Sequence, residues 1–255
     1  MSSERRITIQ KILRKGLSFY EENGLLKFTV IAPEYVEVKN SNLSLVLPHQ
    51  DNGSYQSLDE CFGTMYPKPE CEIKYIIDAG AHIGFFSIAN VCRLASCEEV
   101  IAIEPDPDNI ELLKHNVSQI PGVRVVPGAL STSEYPVQFE RANSNTGHIA
   151  GSPGHSDTGD TIHVESLSLL ELLPATWNEE QTWIKLDIEG AEYGVFDDLL
   201  SSDFRPAAIS AELHDYFGNS GKDIVQRLRD EGYSVTVEGS GERGNVCRQI
   251  TATKR

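Results

Sequence analysis

The sequence predicts an α/β protein: a doubly wound, mostly parallel sheet closed by an antiparallel terminal hairpin and preceded by a small helix-plus-β appendage. Three observations carry this. From Lys74 onward, short apolar runs alternate with segments of helical periodicity, the pattern of parallel strands joined by helical crossovers. The run Lys74-Tyr-Ile-Ile-Asp78 leads into the sparse glycine turn Gly80 to Gly84, with helix-forming residues directly after. At the C-terminus two strand-like runs, 233–237 and 246–252, follow one another without an intervening helix.

Taken in order, residues 1–15 hold Arg5, Arg6, Lys11, Arg14 and Lys15 against Glu4 alone, with Ile9, Ile12, Leu13 and Leu17 at helical spacing. A basic amphipathic helix of this kind fits two readings: a helix packed on the domain with its charges in solvent, or one that docks on a membrane surface or partner. Runs 26–31, 35–39 and 43–47 alternate apolar and polar residues, as half-buried antiparallel strands do. We divide the chain accordingly into an appendage, 1–70, and a main domain, 71–255. Within that domain, strands are expected at 74–78, 100–104, 123–126, 182–187 and 207–212. Asp106 and Pro107 supply an N-cap and a first-turn proline to the helix after the second of these. Helices are also expected at 84–95, through Val195, Phe196 and Leu199, and at 220–231. The polar segment 141–161, with four glycines, breaks the rhythm and reads either as a lid or as disorder.

Composition narrows the partners. With 22 basic and 38 acidic residues the net charge is −16, a field that repels phosphate backbones and argues against nucleic acid. No apolar run reaches the roughly 18–20 residues of a membrane span, and the first residues lack the apolar core of a secretory signal. We expect a cytoplasmic protein acting on a small-molecule acceptor, with homo-oligomerisation or partner docking through the basic helix left open. Five cysteines without a C-x-x-C pair signal neither a disulfide framework nor a zinc site.

The chemistry sits at strand ends. Open α/β sheets bind ligands at the carboxyl edge of their strands. A nicotinamide site there calls for G-x-G-x-x-G against a pyrophosphate. Here an acid, Asp78, precedes glycines spaced Gly80-x-x-x-Gly84, and a pyrophosphate would be repelled by it. S-adenosylmethionine has no phosphate and carries an α-ammonium that a carboxylate can hold, and its ribose diol suits the carboxylate of Glu104. Each acid also has a plainer reading, as a cap for the turn or helix that follows it. Asp187, Glu189 and Glu192 crowd the end of an apolar strand, and Glu212, His214 and Asp215 end the next. Such a cluster can hold a general base, a divalent cation or a polar substrate.

Together the motifs Ile76-Ile-Asp-Ala-Gly-Ala-His-Ile-Gly-Phe-Phe-Ser87, Ala102-Ile-Glu-Pro105, Gly128-Ala-Leu130 and Ile184-Lys-Leu-Asp-Ile-Glu-Gly-Ala-Glu192 resemble the FkbM family of S-adenosylmethionine-dependent methyltransferases. The resemblance covers roughly residues 55–215, and the Lys-Leu-Asp-Ile-Glu-Gly-Ala-Glu block is its most specific part. One departure is His82, where the family usually has Asn. The resemblance implies a Rossmann-like class I methyltransferase fold and O-methylation of a hydroxyl on a sugar or natural-product intermediate. It implies that Asp78, Gly80, Ala81, His82 and Gly84 surround the methionine moiety, that Glu104 and Pro105 serve the ribose, that Ala129 and Leu130 flank the adenine, and that Asp187 faces the sulfonium. Asp187, Glu189, Glu212 and His214 are the catalytic candidates. His214 is attractive as a base because an unperturbed imidazole titrates near 6.5. A divalent metal bridging Asp187 and Glu212 would be the alternative activator, though no ligand set can be assigned. Competing readings are a nicotinamide-dependent oxidoreductase and a catalytically silent cofactor-binding module.

Overall fold

The computed structural model describes residues 27–32, 34–39, 44–48, 51–63, 65–141, 147–151, 160–215, 220–239 and 246–254. The expected basic helix lies outside them, as does most of the polar segment 141–161.

Seven strands form the central sheet: β4 (Tyr75–Ala79), β5 (Glu99–Glu104), β6 (Val123–Pro127), β12 (Thr182–Leu186), β13 (Ala208–Asp215), β14 (Tyr233–Glu238) and β15 (Val246–Lys254). Their order is β14-β15-β13-β12-β4-β5-β6. Every pairing among β4, β5, β6, β12 and β13 is parallel, whereas β15 runs antiparallel to both β13 and β14. The chain winds outward from β4 through β5 to β6 and then returns to β12 on the other side of β4. The carboxyl ends of β4 and β12 therefore flank the topological switch point, where a crevice opens.

Each inner strand is buried on both faces because its alternate residues feed different clusters. On β4, Ile76 joins the cluster that packs against α2 (Phe85–Arg93), whereas Ile77 faces the opposite cluster with Phe196 and Leu199 of α5 (Glu192–Ser201) and Leu228 of α6 (Gly221–Asp230). The first cluster also crosses residue 70. It holds Val36 and Val38 of β2 (Tyr35–Lys39), and Leu45 and Leu47 of β3 (Ser44–Pro48). With β1 (Lys27–Ala32) these strands make a three-stranded antiparallel sheet. Asn116, near the end of α3 (Pro107–Val117), fastens β3 to the domain. Its amide accepts from Val46 N at 2.7 Å and donates to the carbonyls of Val46 (3.0 Å) and Ile83 (2.9 Å).

Sequence patterning misses α1 (Asn52–Phe62). Asp51-Asn-Gly-Ser reads as a turn, yet the Asp51 carboxylate accepts from the backbones of Gly53 and Ser54 and caps a helix. Tyr55, Leu58 and Phe62 then fall on one buried stripe. Between β6 and β12 the chain adds β7 (Ala129–Leu130), β8 (Val137–Glu140), β9 (His148–Ile149), β10 (Thr161–Val164), β11 (Ser166–Leu167) and the short α4 (Leu169–Leu172). The described parts of the polar segment thus belong to a small antiparallel sheet with β8 in its middle. Among the described residues no helix is long and apolar enough to cross a membrane.

Candidate active site

A cavity of about 370 Å³ opens at the switch point. Its floor is the turn after β4. Gly80 and Ala81 donate their backbone N–H groups to the Ile103 carbonyl at 3.1 and 2.9 Å, which stitches the turn to β5. Gly80 has φ +72°, and a Cβ there would meet the Asp187 carbonyl oxygen at 1.8 Å. Only glycine fits. Gly84, at φ +96°, caps α2, and a Cβ on it would press on Leu113 at 2.7 Å. Two non-glycine residues in the described chain also adopt positive φ, His82 (51°) and Glu189 (52°), and both line this cavity. Backbone strain of this kind concentrates at sites that bind or react.

Glu104 closes β5 and is 4 % exposed. Its carboxylate accepts from His82 N (2.8 Å), Asp106 N (3.1 Å) and Asn109 Nδ2 (3.1 Å). Burial pushes its pKa up to about 7 against those three hydrogen bonds. The His82 ring is held neutral, its pKa driven down to about 4 by burial, and its buried Nδ1 has no hydrogen-bond partner among the described residues. Asp106 accepts from two of the three Arg141 guanidinium nitrogens, Nε at 2.9 Å and Nη2 at 3.1 Å, a fork that braces the start of α3.

Asp78 is fully buried and does not line the cavity. Its Oδ2 accepts from Ser87 N (3.1 Å) and Ser87 Oγ (2.7 Å), and its Oδ1 lies 3.4 Å from Lys185 Nζ. In this arrangement Asp78 anchors the first turn of α2, with Gly84 beside it, and both shape the cavity from behind. Gly80, Ala81, His82, Glu104, Pro105, Ala129, Leu130, Asp187, Glu189, Glu212 and His214 all contribute to its wall.

The acidic block splits by function. Glu192, the first residue of α5, is fully buried and turns inward. Its carboxylate accepts from Ile188 N (3.1 Å) and Gly190 N (3.0 and 3.1 Å), which ties the loop after β12, and it meets His214 Nδ1 at 3.2 Å. On the other ring edge, His214 Nε2 lies 3.4 Å from Glu189. Burial works against a charge on His214, but the hydrogen bond and charge of Glu192, followed by the charge of Glu189, outweigh it and push the pKa up to about 10. Burial likewise lifts Glu189 to about 8, with His214 opposing. At neutral pH the imidazole is therefore already protonated, and its ordinary pKa is no guide to its role here.

Lys185 stands in the quoted motif block without a role of its own, and Tyr66 lies outside every quoted motif. Lys185 interrupts the apolar strand Trp-Ile-Lys-Leu, which is a faint signal of a buried cation, whereas Tyr66 carries no local signal. Lys185 Nζ donates to the carbonyls of Gly80 (2.7 Å) and Ala79 (3.1 Å). The α1 face adds Gln56, Ser57, Glu60 and Cys61 to the cavity. Among the described residues no group of three or more His, Cys, Asp or Glu is arranged to hold a metal ion.

A doubly wound sheet whose switch-point crevice combines a glycine turn, a strand-closing acid and an ionisable wall defines an α/β protein built to hold a small-molecule ligand. The profile of the Methyltransferase FkbM domain matches residues 78–235, more than half the chain, and the chain belongs to that methyltransferase family. A comparison with curated proteins finds no match. Among solved structures, the chain resembles the methyltransferase FkbM from Methylobacillus flagellatus, at 16% identity and a TM-score of 0.44, over 72% of this chain and 45% of that one. It also resembles a precorrin-6y C5,15-methyltransferase from Geobacter metallireducens, at 15% identity and TM-score 0.42, over 72% and 82% of the two chains. A third is M. jannaschii TYW2 in complex with AdoMet, at 12% identity and TM-score 0.46, over 89% and 88%.

Proposed function

We propose that the protein transfers a methyl group from S-adenosylmethionine to a hydroxyl of a small molecule, a sugar or natural-product intermediate. The observation that carries this reading is the sharing of one cavity by the glycine turn with Glu104 and by the ionisable wall of Asp187, Glu189, Glu212 and His214. Family membership supports the reaction class.

The residues fit the cofactor. The turn Gly80–His82 packs directly on the Asp187 backbone, which only glycine at position 80 allows, and His82, whose buried Nδ1 has no hydrogen-bond partner among the described residues, lines the cavity. In this reading the turn holds the methionine end, Glu104 takes the ribose hydroxyls, and Ala129 and Leu130 bracket the adenine. When bound, the cofactor supplies a methyl group on a sulfonium that is already activated for in-line displacement. The chain's task is alignment and removal of the acceptor's hydroxyl proton.

A carboxylate performs that removal better than His214, which holds its own proton up to a pH of about 10. Glu189, backed by the imidazolium 3.4 Å away, is the best placed to accept it as the acceptor O–H bond breaks; burial lifts its pKa to about 8, so the ionised form that acts as base gains ground as pH rises towards that value. His214 then stays charged and steadies the carboxylate. Glu212 orients the acceptor from the same wall, and Asp187 faces the sulfonium.

Thermal denaturation with ligands tests the reading. S-adenosylhomocysteine at 100 times its dissociation constant should stabilise the protein by about 2.7 kcal/mol, with no shift from NAD(P). Stabilisation by NAD(P) alone would overturn it in favour of an oxidoreductase. Labelled methyl transfer from S-adenosylmethionine to sugars and polyols should then exceed transfer to RNA.

A further inference from the structure

Four side chains from three parts of the chain, Tyr66, Asp78 and the pair Lys185 and Asp187, meet at and behind the cavity wall. Lys185 Nζ, 4 % exposed at the side chain, lies 3.4 Å from Asp78 and 3.5 Å from Asp187 while bonding the Ala79 and Gly80 carbonyls. Tyr66 donates its hydroxyl to Asp187 Oδ2 at 3.1 Å. The tyrosine is itself fixed. Its ring packs edge-on against Phe86 with centroids 5.0 Å apart, and its carbonyl accepts from Arg93 Nη2 at 2.6 Å. Burial disfavours the lysine charge, yet the carboxylates of Asp187 and then Asp78 more than restore it, leaving Lys185 a firmer cation than an ordinary lysine.

Asp78 is fully buried and stays behind the wall, whereas Tyr66 (2 % exposed), Lys185 and Asp187 line the cavity, and Asp187, at 27 % of its side chain, is the most exposed of the three. One carboxylate oxygen, Oδ2, carries both the Tyr66 bond and the Lys185 contact, so two fixed groups hold the carboxylate in one orientation within the cavity wall.

We infer that Tyr66 and Lys185 are positioning residues that aim the Asp187 carboxylate at the positively charged sulfur of the cofactor, so that the site prefers the charged cofactor to its neutral product. This deepens the proposed function and rests on it. Lys185 has a second duty, since the same ammonium holds the Gly80 carbonyl and thereby the shape of the glycine turn.

Calorimetric titration of the full chain with two stable ligands tests this without knowledge of the acceptor. S-adenosylhomocysteine has a neutral sulfur, whereas sinefungin carries a protonated amine in that region. Wild type should bind sinefungin at least about fivefold more tightly. Tyr66→Phe should narrow that preference about threefold, with S-adenosylhomocysteine affinity held within about twofold. In an Asp187→Asn background the same change should do nothing further, because its route is gone. Lys185→Met should weaken both ligands about tenfold, and Tyr66→Phe carries the test if that variant does not fold. A Tyr66→Phe protein with the wild-type preference overturns the inference, as does an effect that persists without Asp187. Wild type binding neither ligand instead overturns the cofactor reading, a result distinct from either.

Discussion

Gly80 and His82 show how much a single backbone position decides. At Gly80 the chain bends to φ +72° with the Asp187 carbonyl where a side chain would stand. Gly80→Ala must relieve a contact of 1.8 Å by moving the turn away from β12. We expect a stability loss of roughly 1–3 kcal/mol from the left-handed backbone alone and loss of S-adenosylhomocysteine binding by calorimetry. Retained affinity would place the ligand elsewhere. His82 tolerates the same backbone region with a larger ring, and it spends its backbone N–H on Glu104. The glycine spacing and the two strand-closing acids were legible because they are local. That Asp78 serves α2 and Lys185 while Glu104 faces the cavity was not, because both are acids at strand ends and differ only in what packs against them.

At the scale of elements, α3 joins the ligand site to the N-terminal strands. Its first turn carries Asp106 and Asn109 into the cavity wall, and its last carries Asn116 into β3. Asn116→Ala leaves the Val46 N–H and the Val46 and Ile83 carbonyls without their partner in a buried setting. We expect a cost of about 2–4 kcal/mol in urea denaturation, with β3 loosened from the core; a loss below about 0.5 kcal/mol would mean that water replaces the amide. The main-domain strands and helices were legible from periodicity, and the structure has them near the expected bounds. Helix α1 and strands β8 to β10 were not, because their short apolar sets become readable only once the neighbouring surface is known. The turn-like start of α1 hides a cap, and the strands of β8 to β10 span four residues or fewer.

Over the whole molecule, the buried ionisable groups of the site set the pH dependence of folding. His82, lowered to about 4 in the fold against 6.5, withdraws stability as pH falls from 6.5 through 4, because the unfolded chain binds the proton first. Glu104, Glu189 and His214 are raised, to about 7, 8 and 10, so the fold retains protons that the unfolded chain has released. Their stabilisation is full below the unfolded pKa values of 4.5 and 6.5 and is lost as pH rises through the folded ones. Each group changes stability by at most about 1.4 kcal/mol per pH unit within its window. Stability should therefore be greatest on the acid side of neutrality and decline towards pH 10. In urea titrations at pH 6, 8 and 10, His214→Gln should flatten the alkaline decline; an unchanged slope would show that the histidine is not held by Glu192 and Glu189.

What the sequence determined by itself follows from local order. Alternation of strand and helix sets the winding of the sheet, and the place of each acid in its run puts Asp78, Glu104, Asp187 and Glu212 at one edge. Tertiary structure alone decided which of these charges reach the cavity. Tyr66 meets Asp187 across 121 residues of chain, and Lys185 is charged in the interior because the carboxylate of Asp78 on the neighbouring strand joins that of Asp187 beside it. Periodicity can assign a side chain to a face, but the energy of a buried charge depends on its neighbours in space.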